Sequence, residues 1–466
     1  MTQIMRSALA GWSMEGVTVG VRLILRTVPH AASAVVAASG LVAALKSSVP
    51  VAPKSAVRAL RDVLIGVQLS VEFGCYELIR WYVRVAPRNR RTAVDRNLLL
   101  CPPGGGNIGD QAMVESFIAN STRGVSLIVR SRNDFAIDPR WIDSECEVVE
   151  MPDLLYGSGF RQLRAAWRFI RELHGYSTFS VIGADIMDGA YNVRASARRA
   201  YLAGLAASIV GDARVIGFSW NGTSNVVART ALKYASRRGA VLCIRDSVSY
   251  DRARRDGLSS LRLVSDSAFA LPEQRTRSAT SPYCDLVKKI EERPYVIVNA
   301  SGLVARNRDQ VSDYSALVEM LEGLGYLVVL VPHVIRSSGD DLAACRAIFD
   351  DSTGSAPVLV ETVFSPFEIR SLCARAVFVV TGRMHLGVLA LSAAVPPVVV
   401  ATQGKVEGLM AMFGIESLML TPDSDFGRQL LESVREVLRN RPDYVSAVSG
   451  VLPSVVGQAR LNFDGL

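Results

Sequence analysis

From Asn97 onward, short apolar runs alternate with longer segments in which apolar residues recur at helical spacing. Apolar runs of four to six residues are typical of strands buried on both faces of a sheet. Gln111–Asn120 and Arg161–Leu173 show the helical pattern. In this first half we predict strands at Asn97–Cys101, Val125–Arg130, Thr178–Ile182, Ala213–Phe218, Val241–Arg245 and Leu263–Ser265. Strands and helices that alternate at this spacing predict a parallel sheet with crossover helices.

A second alternating set follows the polar segment Pro272–Arg293, which the pattern predicts to be a linker. Its predicted strands are Tyr295–Asn299, Leu327–Pro332, Val358–Glu361, Val377–Val380 and Pro397–Ala401. The chain is therefore predicted to be α/β, with two Rossmann-like doubly wound domains facing each other across a cleft. We place these domains at residues 97–275 and 276–466.

The first 96 residues have a different pattern and are predicted to form a helical extension without a chemical motif. They carry 13 Lys and Arg against 5 Asp and Glu, so the whole formal net charge of +8 lies in them. Apolar Val63–Val85 runs into a basic stretch that contains Arg84, Arg88 and Arg90. One interpretation is a helix packed on the body of the protein, and the other is a peripheral contact with an anionic membrane. No apolar run reaches the roughly 18–20 residues that span a bilayer.

The charge distribution and the cysteine pattern argue against several classes of function. Residues 97–466 are electrically neutral overall, which argues against nucleic acid as a partner, because a nucleic-acid enzyme needs basic side chains on its working face. The seven cysteines are dispersed and form no C-x-x-C pair, so neither a zinc site nor a disulfide framework is predicted. With no recognisable secretory signal, we expect a cytoplasmic protein, at the inner face of the cell membrane if residues 1–96 contact it.

The first candidate for chemistry is the segment Gly104-Gly105-Gly106-Asn107-Ile108-Gly109-Asp110, between a predicted strand and a predicted helix. Glycines allow a tight turn there, and the following helix N-terminus favours an anion. The glycine spacing also fits a dinucleotide-binding turn. A third interpretation is that Asp110 only caps the helix.

Two further segments also lie where predicted strands end. Ile244-Arg245-Asp246-Ser247 follows one strand, and Thr381-Gly382-Arg383-Met384-His385 follows another. Ligands of open α/β sheets bind outside the carboxyl ends of the strands. Arginine forks bind planar or tetrahedral oxyanions, and histidine transfers protons near neutral pH. The set fits a small ligand with more than one anionic group, and phosphoenolpyruvate is compatible with it.

These segments, in this order, resemble those of the polysaccharide pyruvyl transferase family. The corresponding residues are Gly106-Asn107-Ile108-Gly109-Asp110, Arg245-Asp246-Ser247-Val248-Ser249, Asp266-Ser267-Ala268-Phe269, Arg383-Met384-His385, Val395-Pro396 and Lys405. The resemblance runs from about Asn97 to about Ile415 and does not include residues 1–96. It departs from the family pattern at Gly183-Ala184-Asp185-Ile186, where a glycine run is usual, at Ser267, where proline is usual, and at Met384.

The resemblance implies a glycosyltransferase-B-like fold and transfer of pyruvate from phosphoenolpyruvate to a sugar, forming a ketal. The acceptor would be a saccharide of a cell-surface polysaccharide or of a glycolipid precursor, free or lipid-linked. Catalytic residues would be Asp110 and His385, and either of them could protonate the donor. Substrate-binding residues would be Asn107, Gly109, Arg245, Arg383, Met384 and Lys405. No cofactor and no metal is expected.

Two other classes of enzyme share parts of this pattern. A glycosyltransferase of the same two-domain fold would use a sugar nucleotide as donor. A dinucleotide-dependent oxidoreductase would use the glycine-rich turn, but Arg130 and Arg132 stand where an acidic ribose ligand is expected, and nothing in the second domain supports hydride transfer.

Overall fold

A computed structural model of the chain describes residues 54–85, 95–137, 146–273, 282–290, 293–306, 308–336, 340–352, 356–401 and 404–466. Most of the predicted extension, residues 1–53 and 86–94, therefore lies outside the described residues. So do residues 274–281 of the predicted linker.

The first half forms a seven-stranded parallel sheet in the order β3-β2-β1-β4-β5-β6-β7. Its strands are β1 Arg96–Leu100, β2 Gly124–Val129, β3 Cys146–Glu150, β4 Thr178–Ile182, β5 Ala213–Phe218, β6 Val241–Ile244 and β7 Leu261–Leu263. Strand order reverses between β1 and β4, which is the switch point where doubly wound sheets leave a crevice for ligands.

The second half repeats this plan in a six-stranded parallel sheet of order β10-β9-β8-β11-β12-β13. Its strands are β8 Tyr295–Asn299, β9 Leu327–Leu330, β10 Val358–Leu359, β11 Val379–Thr381, β12 Pro397–Val400 and β13 Met419–Leu420. Its switch point lies between β8 and β11. The fold is therefore α/β with two parallel, doubly wound sheets, as the sequence predicts.

Helices connect the strands and cover the sheets. They are α1 Lys54–Val85, α2 Ile108–Asn120, α3 Asp153–Tyr156, α4 Gly159–Leu173, α5 Val193–Val210, α6 Val226–Arg237, α7 Ser247–Arg255, α8 Pro282–Ile290, α9 Gly302–Ala305, α10 Val311–Gly323, α11 Asp341–Asp351, α12 Pro366–Cys373, α13 Met384–Ser392, α14 Val406–Phe413, α15 Phe426–Arg439 and α16 Arg441–Arg460. The described residues also include short 3-10 helices at Arg132–Asp134, Ser267–Ala270 and Glu416–Leu418. Helix α8 lies inside the segment that the sequence predicts to be a linker.

Helix α1 packs on the first sheet's layer of helices. Ile65, Leu69 and Tyr76 are buried against it, and Glu72 accepts two hydrogen bonds from the buried guanidinium of Arg198 at 3.0 and 2.9 Å. This part of the predicted extension thus has a packing role. Among the helices that the structure describes, none is both long and apolar enough to cross a membrane.

The last segment of the chain returns to the first sheet. Helix α16 packs on the 3-10 helix Ser267–Ala270, and the carbonyl of Val455 accepts a hydrogen bond from Ser265. Buried Asn462 accepts from the Gly217 N–H and donates to the Ser265 carbonyl. A division at residue 275 therefore separates the two sheets, while residues 441–466 also contact the first. The exact domain boundaries remain predictions.

Candidate active site between the two sheets

The carboxyl edges of both sheets face each other, and the candidate residues gather where they meet. The glycine-rich turn follows β1, and Asp185 follows β4, the two strands at the first switch point. Arg383 and His385 follow β11 at the second switch point. The site is thus built from the positions at which doubly wound sheets bind ligands.

The glycine-rich turn forms one wall of the site and pairs directly with the second half of the chain. Gly104, Gly105 and Gly106 all have positive φ angles between 61° and 72°, a region open mainly to glycine. The Ile335 N–H donates to the Gly106 carbonyl at 2.9 Å, and the Ile108 N–H donates to the His333 carbonyl at 3.2 Å. A Cβ at Gly106 would lie 2.1 Å from the Ile335 carbonyl oxygen, so this close approach requires glycine.

The sequence left open whether Asp110 caps helix α2 or takes part in the chemistry, and the structure gives the capping role to Asn107. Asn107 is the N-cap of α2, with its side chain accepting from the Gly109 N–H at 3.0 Å. Asp110 is therefore not the cap; it lies in the first helical turn, is buried, and accepts from the Gly104 N–H at 3.1 Å. Burial raises its pKa to about 6, although His385 and Arg336 oppose this shift. A carboxyl with this pKa is suited to proton transfer near neutral pH.

His385 lies against the start of α2. A Cβ at Gly109 would come within 2.4 Å of the imidazole Nδ1. Gly109 therefore makes room for the imidazole because it has no side chain. The Nε2 atom of His385 is 3.5 Å from an Asp266 carboxylate oxygen and makes no hydrogen bond. His385 also lies in the first turn of α13, whose N-cap, Arg383, makes no capping hydrogen bond with its side chain. The imidazole is thus held next to the Asp266 carboxylate and at the N-terminus of α13.

Arg245 is buried and ion-paired. Its Nη1 lies 2.6 Å from Asp266, and its Nε donates to the Ser219 hydroxyl at 2.7 Å. Its Nη2 is buried without a hydrogen-bond partner. Burial by itself would raise the Asp266 pKa, but the charges of Arg245 and His385 hold that pKa well below its usual range. Asp266 therefore fixes the guanidinium, while the hydrogen-bonding capacity of Nη2 stays unused.

Arg383 is fixed by a second buried carboxylate. Its Nε lies 3.0 Å from both oxygens of Asp341, and its Nη2 lies 2.6 Å from one of them. Asp341 is fully buried and also accepts from the backbone N–H groups of Gly302, His333 and Val334. Such a network fixes the direction of the arginine fork before any ligand arrives.

Lys405 joins the two halves across the site. Its ammonium contacts the carboxylate of Asp185, and its Nζ lies 5.8 Å from the centre of the Tyr191 ring. The Tyr191 hydroxyl donates to Asp185 at 3.0 Å. Although burial opposes it, the Lys405 charge holds the pKa of Asp185 well below its usual range. Asp185 lies in the Gly183–Ile186 segment, and there it supplies the carboxylate partner of Lys405.

All eight predicted site residues lie at or next to this junction of the sheets, but their roles are not established by position alone. Met384 differs from the others because its side chain is buried in the core behind α13. The sequence analysis did not select Asp341 or His333. Asp341 looks like an ordinary helix-start residue, 42 positions before its arginine, so no local pattern identifies it. His333 follows β9, and the strand-end rule could have found it.

His333 is buried, and neither ring nitrogen has a hydrogen-bond partner. Burial lowers its pKa well below the ordinary value, and the charges of His385 and Arg383 lower it further. It is therefore a neutral imidazole near the candidate anion site. Within the described ranges, no three His, Cys, Asp or Glu side chains are grouped as a metal site would require.

The fold has a glycosyltransferase-B-like architecture of two parallel α/β halves. The solved structure of a Listeria monocytogenes protein assigned as a UDP-N-acetylglucosamine 2-epimerase superposes with a TM-score of 0.51 at 10% identity, covering 79% of this chain and 94% of that chain. A UDP-GlcNAc 2-epimerase from Neisseria meningitidis has a TM-score of 0.49 at 11% identity, covering 78% and 97%. ADP-heptose heptosyltransferase II of E. coli has a TM-score of 0.40 at 13% identity, covering 74% and 99%.

The family is shown by sequence. The sequence model of the polysaccharide pyruvyl transferase family matches residues 159–404, slightly more than half of the chain, and the chain belongs to this family. The match includes Arg245, Arg383, Met384 and His385. It does not include the glycine-rich turn or Lys405. A search of curated proteins finds no match.

Proposed function

We propose that this protein transfers pyruvate from phosphoenolpyruvate to a saccharide acceptor and forms a pyruvate ketal. The observation that carries the proposal is the pair of arginines, Arg245 and Arg383, each fixed by a buried carboxylate at the junction of the two sheets. Family membership supports the transferase activity. Phosphoenolpyruvate has a phosphate and a carboxylate, one for each arginine fork.

The proposed chemistry assigns a step to each polar group. A sugar hydroxyl oxygen bonds to C2 of phosphoenolpyruvate while a proton adds to C3, which uses the electrons of the double bond. The C2–O bond to phosphate then breaks, and phosphate leaves with the electron pair. A second hydroxyl of the same sugar bonds to C2 and closes the ketal, and its proton passes to the released phosphate. Asp110, with a pKa of about 6, is the base toward the hydroxyl, and His385 is the acid. The reverse assignment of the proton on C3 stays open.

The cations of the site are held in place before any ligand binds. The cations Arg245, Arg383 and Lys405 are each neutralised by a carboxylate, so the free protein does not bury uncompensated charge at these positions. The unused Nη2 of Arg245 and the N-terminus of α13 provide donors for the incoming oxygens. Fixed donors of this kind stabilise charge that develops during reaction. We infer no resident metal or cofactor for this reaction.

The test is titration calorimetry with phosphoenolpyruvate and with UDP-N-acetylglucosamine, followed by phosphate release in the presence of saccharide acceptors. Phosphoenolpyruvate should bind, and Arg383→Lys should weaken binding by one or two charge-assisted hydrogen bonds, about 1.5–3 kcal/mol each. Arg428→Lys is the matched control, because Arg428 is also paired with carboxylates but lies exposed on α15. Binding of the sugar nucleotide in place of phosphoenolpyruvate would favour the glycosyltransferase alternative instead.

We further propose that the protein acts in the cytoplasm at an anionic membrane surface. Support comes from the net charge of residues 1–96 and from the exposed outer face of α1. On that face, Trp81 is half exposed and Val85 is slightly more than half exposed. Both lie close in sequence to Arg84 and to the basic segment that follows. An acceptor that is lipid-linked would be met at that surface.

A further inference from the structure

A second cavity lies in the first half of the chain, outside the site described above. It is lined at the carboxyl ends of β1, β2 and β3 by Pro102, Pro103, Arg130, Tyr156 and Arg199, among others. Pro103 directly precedes Gly104, whose N–H binds Asp110, so the cavity and the candidate active site share the glycine-rich turn. The space inside it that a water-sized group can occupy is only about 20 Å³, and the cavity opens to solvent at its mouth.

Arg199 is the unusual residue of this cavity. It comes from α5, its side chain is 2% exposed, and its Nε is buried without a hydrogen-bond partner. In the part of the chain that the structure describes, its one hydrogen-bond acceptor is the Tyr156 hydroxyl at 3.0 Å, and the Tyr156 ring lies 5.8 Å from its Cζ. No carboxylate pairs with it there. By contrast, Arg198 beside it has Glu72, and the site arginines have Asp266 and Asp341.

A buried guanidinium without a counter-ion is expensive, because burial removes its hydration and nothing replaces that hydration. An oxyanion that enters the cavity would supply both the missing charge and an acceptor for the unused Nε. Arg130, half exposed at the same cavity and already bound to Asp134, adds a second guanidinium. The cavity is narrow, so a phosphate or carboxylate group would enter while the rest of its molecule stays outside, beside the exposed ring of Tyr156.

We propose that the Arg199 cavity binds an anionic group of the saccharide acceptor, a phosphate or a carboxylate, and thereby holds the sugar hydroxyls next to Asp110. The proposal rests on the proposed function for the identity of the acceptor, but the anion site itself does not depend on it. The cavity opens beside the turn that carries Asp110 and lies on the first sheet, whereas Arg383 and His385 belong to the second. Donor and acceptor would thus be bound mainly by different halves of the chain.

The experiment is calorimetric titration with inorganic phosphate, glucose 1-phosphate and neutral glucose, without phosphoenolpyruvate. In the wild-type protein, phosphate and glucose 1-phosphate should bind and compete, and glucose should not bind. Arg199→Met should weaken this binding about ten- to hundred-fold, the effect of losing charge-assisted hydrogen bonds. It should also raise the melting temperature of the unliganded protein, since an unpaired buried charge is removed. Arg171→Gln, on the exposed face of α4, is the control of equal charge change.

Three results would overturn the proposal. One is phosphate binding that is the same in Arg199→Met and wild type, and another is glucose 1-phosphate that fails to compete with phosphate. The third is a lower melting temperature in Arg199→Met with unchanged anion affinity, which would give Arg199 a packing role. If Arg199→Met does not fold, Arg199→Lys and Arg130→Gln carry the test, each with a several-fold loss of phosphate affinity. Arg383→Lys should weaken phosphate binding at the donor site but leave binding at the Arg199 cavity intact. Failure of phosphoenolpyruvate binding would therefore refute the proposed function without affecting the anion site.

Discussion

His385 is the residue whose substitution separates chemistry from binding most clearly. It lies beside the arginines, and its Nε2 is 3.5 Å from the Asp266 carboxylate that also pairs with Arg245. His385→Gln should lower turnover by about 10²–10⁴-fold, the usual contribution of general acid–base catalysis, and change phosphoenolpyruvate affinity only a few-fold. Rates under saturating donor and calorimetric affinities provide the two numbers. His174→Gln, an exposed histidine after α4, is the control. A variant with normal turnover per bound donor and weaker binding would make His385 a packing residue.

Asp110 gives a prediction about stability as well as rate. Its pKa is raised to about 6 in the folded protein, from an ordinary value of 3.8, chiefly by burial. Its protonated form therefore favours the folded state at low pH, and this contribution is lost as the pH rises through about 6. Asp110→Asn keeps an acceptor for the Gly104 N–H and removes the buried charge. It should stabilise the protein by roughly 2–3 kcal/mol at pH 8 and by almost nothing at pH 4.

Thermal unfolding of wild type and Asp110→Asn between pH 4 and pH 8 checks this sign. The activity of the same variant should fall at every pH, because the proposed base is absent. A difference in melting temperature that does not change with pH would mean that the pKa of Asp110 is the same in the folded and the unfolded protein, near its ordinary value. The raised pKa that suits Asp110 to proton transfer near neutral pH would then be wrong.

At the scale of elements, the start of α2 packs closely against the start of α13 because Gly109 has no side chain. Gly109→Ala would place a Cβ 2.4 Å from the His385 ring, so the imidazole or the helix must move. We expect activity to fall at least ten-fold, with a loss of stability of about 1–3 kcal/mol from overpacking. Gly74→Ala, inside α1 with no atom within 4 Å of the added Cβ, should instead stabilise by about 0.5–1 kcal/mol. Equal effects of the two substitutions would contradict the contact.

The elements also show how far the sequence predicts the fold. Apolar runs identify the central strands of both sheets within a few residues, since those strands are buried on both faces. Cys146–Glu150 and Met419–Leu420 were not predicted, and both lie at sheet edges. The first has glutamates at two of its five positions, and the second is two residues long. Edge strands are often short and polar, which removes the pattern that prediction needs.

The candidate site also has some residues that the sequence predicts and others that it does not. Residues that end strands, such as Arg245 and Arg383, are found by position along the chain. Asp341 is not found in this way, because it becomes a neighbour of Arg383 only through packing of distant segments. Asp266 directly follows a predicted strand, but its pairing with Arg245 also depends on that packing. The Arg199 cavity is also invisible in sequence, since a missing partner cannot be read from a helix pattern.

For the whole molecule, the charge of the N-terminal part gives a prediction about attachment. Substituting Trp81→Ser together with Arg84→Gln leaves the buried face of α1 intact and removes exposed apolar and basic groups. If this face contacts an anionic membrane, sedimentation with anionic vesicles should decrease, since each basic residue near the surface contributes about 1 kcal/mol. Added salt should weaken the wild-type attachment too. Phe160→Ser, at an exposed position on α4, is the control. Equal sedimentation of all three proteins would leave α1 with its packing role alone.

The return of residues 441–466 to the first sheet has a consequence for synthesis on the ribosome. Phe463 packs against Phe117 at 6.1 Å between ring centres, and the Leu466 carbonyl accepts from the Thr122 N–H. Domains generally fold in order as a chain emerges. Here the sheet that is synthesised first cannot bury Phe117 in its final surroundings until more than three hundred further residues have been translated. The nascent protein must therefore carry a partly uncovered apolar surface through most of its translation, a period in which chaperones would have a substrate.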